Sequence, residues 1–211
     1  MRILSVNVAL PRDAIRNGRP VSTGIFKEPV DGPIMLRRLN LDGDRQADLR
    51  VHGGPNKAVY AYPAGHYEFW RAEFRGMVLP WGMFGENLTG EWPREDAVNV
   101  GDRFRIGSAE VMATQPRLPC YKLGIRFGRT DIIKRFLASG RTGFYLAVVR
   151  EGLIQAGDAI EAVHRDEHDV TIADITRLYA REKRNRDLMR RALEVPALPD
   201  DWRDYFEERL A

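Results

Sequence analysis

The sequence predicts a mainly β, barrel-like domain with interspersed helices, followed by a small domain of three short helices. Three observations carry this. Up to about residue 163 the apolar residues fall in short runs separated by glycine-marked turns, the pattern of short strands. Only two stretches there show helical spacing. From about His164 onward the spacing becomes helical throughout and the charge balance reverses: residues 164–211 carry 10 Lys+Arg against 12 Asp+Glu, and residues 1–163 carry the other 23 against 18. The expected domains are therefore 1–163 and 164–211.

Taken in order, Arg2–Leu10 reads as the first strand. An asparagine and the following Pro11-Arg12-Asp13 argue against a secretory leader. Ile34–Leu41 is a second strand. Ala64–Phe74 is a helix with Tyr67, Trp70 and Phe74 on one face. Ala97–Val100, Arg103–Ile106 and Ala109–Gln115 read as a meander turning at Gly101-Asp102 and Gly107-Ser108. Asp131–Ala138 is the second helix, with Thr130 as candidate N-cap and Gly140 beyond its end. Phe144–Val149 and Ala159–Val163 are the last strands. In the tail, Thr171-Ile172-Ala173-Asp174 has the form of a capping box that starts a helix with Ile172, Ile175, Leu178 and Tyr179 inward. Asp187–Leu193 is the next helix, stopped by Val195-Pro196-Ala197-Leu198-Pro199. Asp200-Asp201 starts the last, with Trp202, Tyr205, Phe206 and Leu210 apolar. About 48 residues hold too little core to stand alone, so the tail is expected to pack on the barrel or on a second subunit. It is expected to lie outside the catalytic centre.

Composition narrows the chemistry. A single cysteine excludes an intramolecular disulfide, CxxC redox chemistry and a multi-cysteine zinc site, which suits a reducing cytoplasm. No apolar run approaches the ~18 residues that span a bilayer. GxGxxG, GxSxG and HExxH are absent, and the four histidines lack metal-ligand spacing. The net charge of +3 does not demand a nucleic-acid partner, although Arg177–Arg191 holds seven basic residues that a solvated face, an acidic redox partner or, least favoured, nucleic acid could use.

Cys120 is the most informative residue. It lies in Gln115-Pro116-Arg117-Leu118-Pro119-Cys120-Tyr121-Lys122-Leu123, with positive charge three residues before and two after the sulfur. Such charge favours the thiolate, the nucleophilic and metal-ligating form, and attracts anions. A buried, inert sulfur is the alternative. Three further segments stand out. Asp42–Pro63 contains His52-Gly53-Gly54 and Lys57, able to surround a phosphate with N–H groups and an ammonium, and His66 and Tyr67 open the helix just after it. Met83–Leu88 contains Asn87, both donor and acceptor. Ser139–Tyr145 places Arg141 between glycines as an anion fork, with Tyr145 close behind.

Together these segments, in this order, resemble the MOSC (molybdenum cofactor sulfurase C-terminal) superfamily, specifically its YiiM-like branch. The block Asp44–Tyr62, the His66-Tyr67…Trp70 helix, Gly85-Glu86-Asn87-Leu88, the Pro116–Leu123 segment, Ser139–Tyr145 and Ala156-Gly157-Asp158 carry the resemblance, and the tail is similar to the three-alpha domain of that branch. The resemblance implies a MOSC β-barrel-like fold and a molybdenum cofactor (molybdopterin), with pyridoxal phosphate binding a further property attached to such domains. It makes Cys120 the catalytic thiolate and metal ligand. Lys57, His66, Asn87, Arg117, Lys122, Arg141 and Tyr145 are then the cofactor-binding candidates. The implied activity is reduction of N-hydroxylated bases such as hydroxylaminopurine to amines. With no flavin or nicotinamide motif, electrons would come from a separate reductase, and the protein would act as a monomer or homodimer. The same residues would also serve a carrier or sulfur-transfer module that holds a persulfide or the cofactor without reducing anything.

Overall fold

The computed structural model describes residues 1–48 and 52–211. Leu49, Arg50 and Val51, within the Asp42–Pro63 stretch, lie outside the described residues. The strands are β1 (Ile3–Val8), β2 (Arg12–Arg16), β3 (Arg19–Thr23), β4 (Glu28–Val30), β5 (Ile34–Leu36), β6 (Val59–Pro63), β7 (Leu88–Gly90), β8 (Arg103–Ile106), β9 (Ala109–Pro116), β10 (Phe144–Arg150), β11 (Gly152–Ile154) and β12 (Ile160–His164). The helices are α1 (His66–Glu73), α2 (Tyr121–Phe127), α3 (Ile132–Ser139), α4 (Ile172–Ala180), α5 (Arg186–Glu194) and α6 (Asp200–Leu210), with a short 3-10 turn at Pro55–Lys57.

Eight strands form one mixed sheet in the order β12-β8-β9-β10-β6-β7-β1-β4, and only β6 and β7 run parallel. The sheet curls back on itself. Arg2 bridges Ala159, the Ile3 N–H donates to Asp158 O at 2.9 Å, and the Ile160 N–H donates to Met1 O at 2.8 Å. Curling removes the exposed edge that an open sheet would leave there. Alternation drives the pairing: β8 buries Phe104 and Ile106 and exposes Arg103 and Arg105.

Two side-chain clusters fill the fold. One runs without a break from the barrel interior (Ile3, Val98, Val111, Leu146) into the tail (Ile172, Met189, Trp202, Phe206), so barrel and tail share a single core. The other is aromatic and lies between α1, α2 and α3, where Tyr62 stacks on Phe84 at 4.6 Å and Trp70 packs on Phe136.

The expected tail helices are present, and α4 starts on a true capping box: the Thr171 side chain accepts from the Asp174 N–H while Asp174 accepts from the Thr171 N–H. Other expectations need correction. Ala97–Val100 is not a strand; Asn99 makes one bridge, to Thr171, and the chain turns around Asp102, whose carboxylate accepts the Asn99 N–H. The strand expected over Ile34–Leu41 stops at Leu36, because the chain doubles back so that Leu36 bridges Leu41. Asp131, not Thr130, occupies the N-cap position of α3, and its side chain makes no capping hydrogen bond. Within the basic run Arg177–Arg191, which stays largely at the surface, several side chains make contacts inside the molecule. Arg177 pairs with Asp174 and Glu182, Arg190 pairs with Asp187, and Arg181, Arg186 and Arg191 donate to backbone carbonyls. Among the described residues, no helix is long and apolar enough to cross a membrane.

Candidate functional site

Tyr60 of β6 faces Tyr145 of β10 across their antiparallel pairing, and Asn87, just before β7, and Arg117, just after β9, line the same pocket. The loops beside these strands, with the β3–β4 connection, enclose this pocket of about 90 Å³ within an open cleft of about 620 Å³. Pro116 ends β9 and leaves Arg117–Cys120 irregular. α2 begins at the next residue, so Cys120 is its N-cap in extended backbone. Gly53 and Gly54, at φ 105° and 85°, turn the preceding loop into the 3-10 turn that delivers Lys57.

Lys57, Asn87, Arg117, Cys120, Lys122 and Tyr145 all line this pocket, although they span 89 positions of sequence from Lys57 to Tyr145. With Lys27 and Arg45 they bring five cations to the lining, and no lining residue is acidic. Arg117 is 5% exposed and lies against the Tyr60 and Phe136 rings at 5.4 and 5.2 Å, with the Tyr145 hydroxyl beside it. Its Nη1 is buried without a hydrogen-bond partner among the described residues. A buried guanidinium N–H without an acceptor is costly. Its placement is what a site awaiting an anion would contain.

The sulfur is tuned by the same neighbourhood. Burial pushes the Cys120 thiol up. The His52 ring, the Arg117 guanidinium and the Lys122 backbone N–H outweigh it and bring the thiol down from 9.0 to about 7. His52 Nε2 lies 3.9 Å from Sγ. The thiolate is thus well populated at neutral pH, as in reactive cysteines generally.

Two expected members lie elsewhere. His66, at the start of α1, is buried against Glu95, with Nε2 at 3.0 and 2.9 Å from its two carboxylate oxygens. Glu95 also accepts the Gly143 N–H at 2.6 Å, so His66 braces the loop before β10 and does not reach the pocket. Arg141 lies flat on Phe69 of α1, 3.9 Å from the ring centroid, and donates to its near neighbour Ser139 O. A flanking glycine lets that loop approach β6 closely; it does not aim the guanidinium inward. Gly143 has φ 60°, and a Cβ there would stand 2.5 Å from Ala61 O.

Asn87 lines the pocket, but its amide is used up in positioning. Oδ1 accepts the Tyr60 N–H at 3.1 Å, and Nδ2 donates to Asn7 O at 3.2 Å and Asp44 Oδ2 at 3.0 Å. Asp44 in turn pairs with Lys27, whose ammonium burial pushes toward the neutral form while Asp44 opposes. Neighbouring Glu86, fully buried, accepts from Tyr67, Thr89 and the Gly82 and Phe84 N–H groups, which freezes the loop that presents Asn87. His52, Lys27, Arg45 and Tyr60 are among the pocket residues that the sequence does not mark as cofactor-binding candidates. Only the spatial meeting of distant loops reveals them.

Comparison with known proteins agrees with this architecture. A MOSC domain model matches residues 48–161 and a YiiM-like, 3-alpha helix domain model matches residues 170–211. The protein YflK of Bacillus subtilis (strain 168) is 39% identical over 207 residues, 98% of this chain and 93% of that one. A protein of Gibberella moniliformis named Reductase is 30% identical over 196 residues, 92% of this chain but 35% of its own length. The crystal structure of YiiM from Geobacillus stearothermophilus superposes with a TM-score of 0.84 at 34% identity, covering 100% of this chain and 99% of that one. The chain therefore belongs to the MOSC domain family, in its YiiM-like branch with a C-terminal three-helix domain.

Proposed function

We propose that the protein is a molybdenum-cofactor-dependent reductase of N-hydroxylated bases. The observation that carries this is a thiolate-prone Cys120 in a pocket with five cations, no acidic lining residue and a buried guanidinium whose Nη1 has no hydrogen-bond partner. That donor set fits an anionic, phosphate-bearing cofactor with a soft metal. Among the described residues no cluster of three or more His, Cys, Asp or Glu could hold a metal ion. A metal here would have to arrive with most of its ligands, as one carried by a pterin does.

Bound there, the cofactor would supply two-electron redox chemistry and an acceptor for the hydroxyl oxygen of an N–OH group. The chain's own residues would do the rest. Cys120 offers the soft thiolate donor. Lys57, Arg117 and Lys122 hold phosphate and ring oxygens through charge-assisted hydrogen bonds. The Tyr60 and Tyr145 rings, 5.4 Å apart, form an aromatic wall against which a planar base can lie. The net conversion consumes an N–OH, two electrons and two protons and yields an amine and water. The electrons come from a separate reductase. The relative named Reductase supports a redox role.

The test is metal and pterin analysis of protein made in a host that synthesises the cofactor, alongside turnover of hydroxylaminopurine with a supplied electron donor. Wild type should carry molybdenum and pterin and turn over. Cys120→Ser should fold normally and lose turnover, because serine lacks a soft donor. Protein free of metal and pterin, or Cys120→Ser with wild-type turnover at matched occupancy, would overturn the reading. Cofactor retention without turnover would favour the carrier role.

A further inference from the structure

The tail does not stand apart from the pocket. The first turn of α6 reaches the 3-10 turn that carries Lys57, and Asp201 Oδ2 lies 3.0 Å from Lys57 Nζ. We infer that the three-helix tail sets the anion affinity of the barrel pocket, because Asp201 competes with a bound anion for Lys57. The inference rests on the reading that the pocket binds an anion.

The contact is held in place from both sides. Trp202, next to Asp201 and 5% exposed, donates its indole N–H to Gln115 Oε1 at 2.9 Å. Gln115 and its neighbour Thr114 donate to the carbonyl of Asn56, the residue before Lys57, at 3.4 and 2.7 Å. One docked helix therefore fixes both the turn and the carboxylate that faces its lysine. Two carboxylates pair with pocket-lining cations among the described residues, and they differ in kind. Asp44, paired with Lys27, is buried and also holds the Ala9 N–H and Asn87, so it is part of the frame. Asp201 is 57% exposed in its side chain, more open to solvent than Lys57 at 24%. An anion arriving at Lys57 meets that negative charge. The ammonium has three donors and can serve both, but the two acceptors repel each other. Removing the charge of Asp201 must therefore tighten anion binding, and only while Lys57 is present.

Cys120 is the only cysteine, so its alkylation reports on this pocket alone. The experiment uses the full chain, metal-free, with inorganic phosphate as the probe and slowing of Cys120 alkylation by iodoacetamide as the readout. Wild type, Asp201→Asn, Lys57→Ala and the double variant are compared, with circular dichroism to confirm folding and Asp201→Ser as a second neutral replacement. Asp201→Asn and Asp201→Ser should lower the half-protecting phosphate concentration roughly 2–5-fold, the range of a partly exposed ion pair. The same change in the Lys57→Ala background should shift it by less than about 1.5-fold, since the coupling partner is gone. An unchanged or raised half-protecting concentration in both neutral variants overturns the inference. So does an equal shift with and without Lys57, which would make Asp201 a diffuse field. Wild type with no phosphate protection at all rejects the anion pocket itself, and the competition with it.

Discussion

The Cys120 thiol should titrate near neutrality in the metal-free protein. With the thiol at about 7 instead of 9.0, roughly half is thiolate at pH 7, against about 1% for an unperturbed group. A less basic thiolate is also a poorer nucleophile, by roughly 8-fold for two pKa units at a Brønsted slope near 0.45. Alkylation at pH 7 should then be only about 6-fold faster than that of a free cysteine, but its pH profile should level off from about pH 8 upward. His52→Ala should move the midpoint upward, because the His52 hydrogen bond is the largest influence opposing burial. Folding is linked to the same titration. A thiol whose pKa falls on folding stabilises the native state most above its unfolded pKa. That gain is lost as pH falls through the folded value. About 3 kcal/mol at most should appear between pH ~7 and ~9 in urea melts of wild type and be absent in Cys120→Ser. A midpoint at about 9.0, the unperturbed value, would refute the reasoning. So would a wild-type midpoint that His52→Ala leaves in place.

Arg117→Met should weaken phosphate protection of Cys120 by roughly tenfold or more, the worth of a charged hydrogen bond, while leaving the urea midpoint equal or higher, since a buried cation with no carboxylate partner and an open Nη1 is removed. Lys27→Met should do the reverse to stability: it strands the buried Asp44 carboxylate and should cost about 3–5 kcal/mol in urea unfolding. Trp202→Phe keeps the ring but loses the hydrogen bond to Gln115, which should cost about 1–3 kcal/mol and speed amide exchange at the Pro55–Lys57 turn relative to wild type.

Where local chemistry decides the structure, the sequence is legible. The Thr171–Asp174 box starts α4 because both reciprocal hydrogen bonds lie within four residues, and Gly140 ends α3 at φ 68° because only a left-handed residue closes that turn. The β2–β3 hairpin was equally local. Asn17 and Gly18, at φ 51° and 74°, form the two-residue turn that such hairpins favour, yet the flanking strands are rich in arginine and exposed, so no alternation marks them. α2 has only seven residues with Gly124 among them, below what periodicity can detect. The site divides in the same way. Cys120, Arg117 and Lys122 share one segment and were read together. His52 lies 68 positions from Cys120, and no spacing rule links them. Arg141 lies on the Phe69 ring of α1, a non-local partner; charge and flanking glycines alone cannot say which way a loop arginine faces.

Elsewhere in the fold, buried polar and charged side chains find partners within the chain. Glu86 has four donors, His66 and Glu95 satisfy each other, and Asp102 accepts from Asn99, Asp166 and Arg165. Among the described residues four buried side-chain atoms lack a partner, and only Arg117 Nη1 lines the pocket. Arg126 Nε also lacks a partner, but only Arg117 Nη1 stands open beside a thiolate-prone sulfur, a local cost that a bound anion would offset. Binding that anion must therefore also stabilise the folded chain. A hundredfold excess over the dissociation constant corresponds to about 2.7 kcal/mol. Phosphate should therefore raise the thermal midpoint of wild type at concentrations that protect Cys120, and raise that of Arg117→Met far less. Equal shifts in the two proteins would mean that the open guanidinium is not what the anion meets.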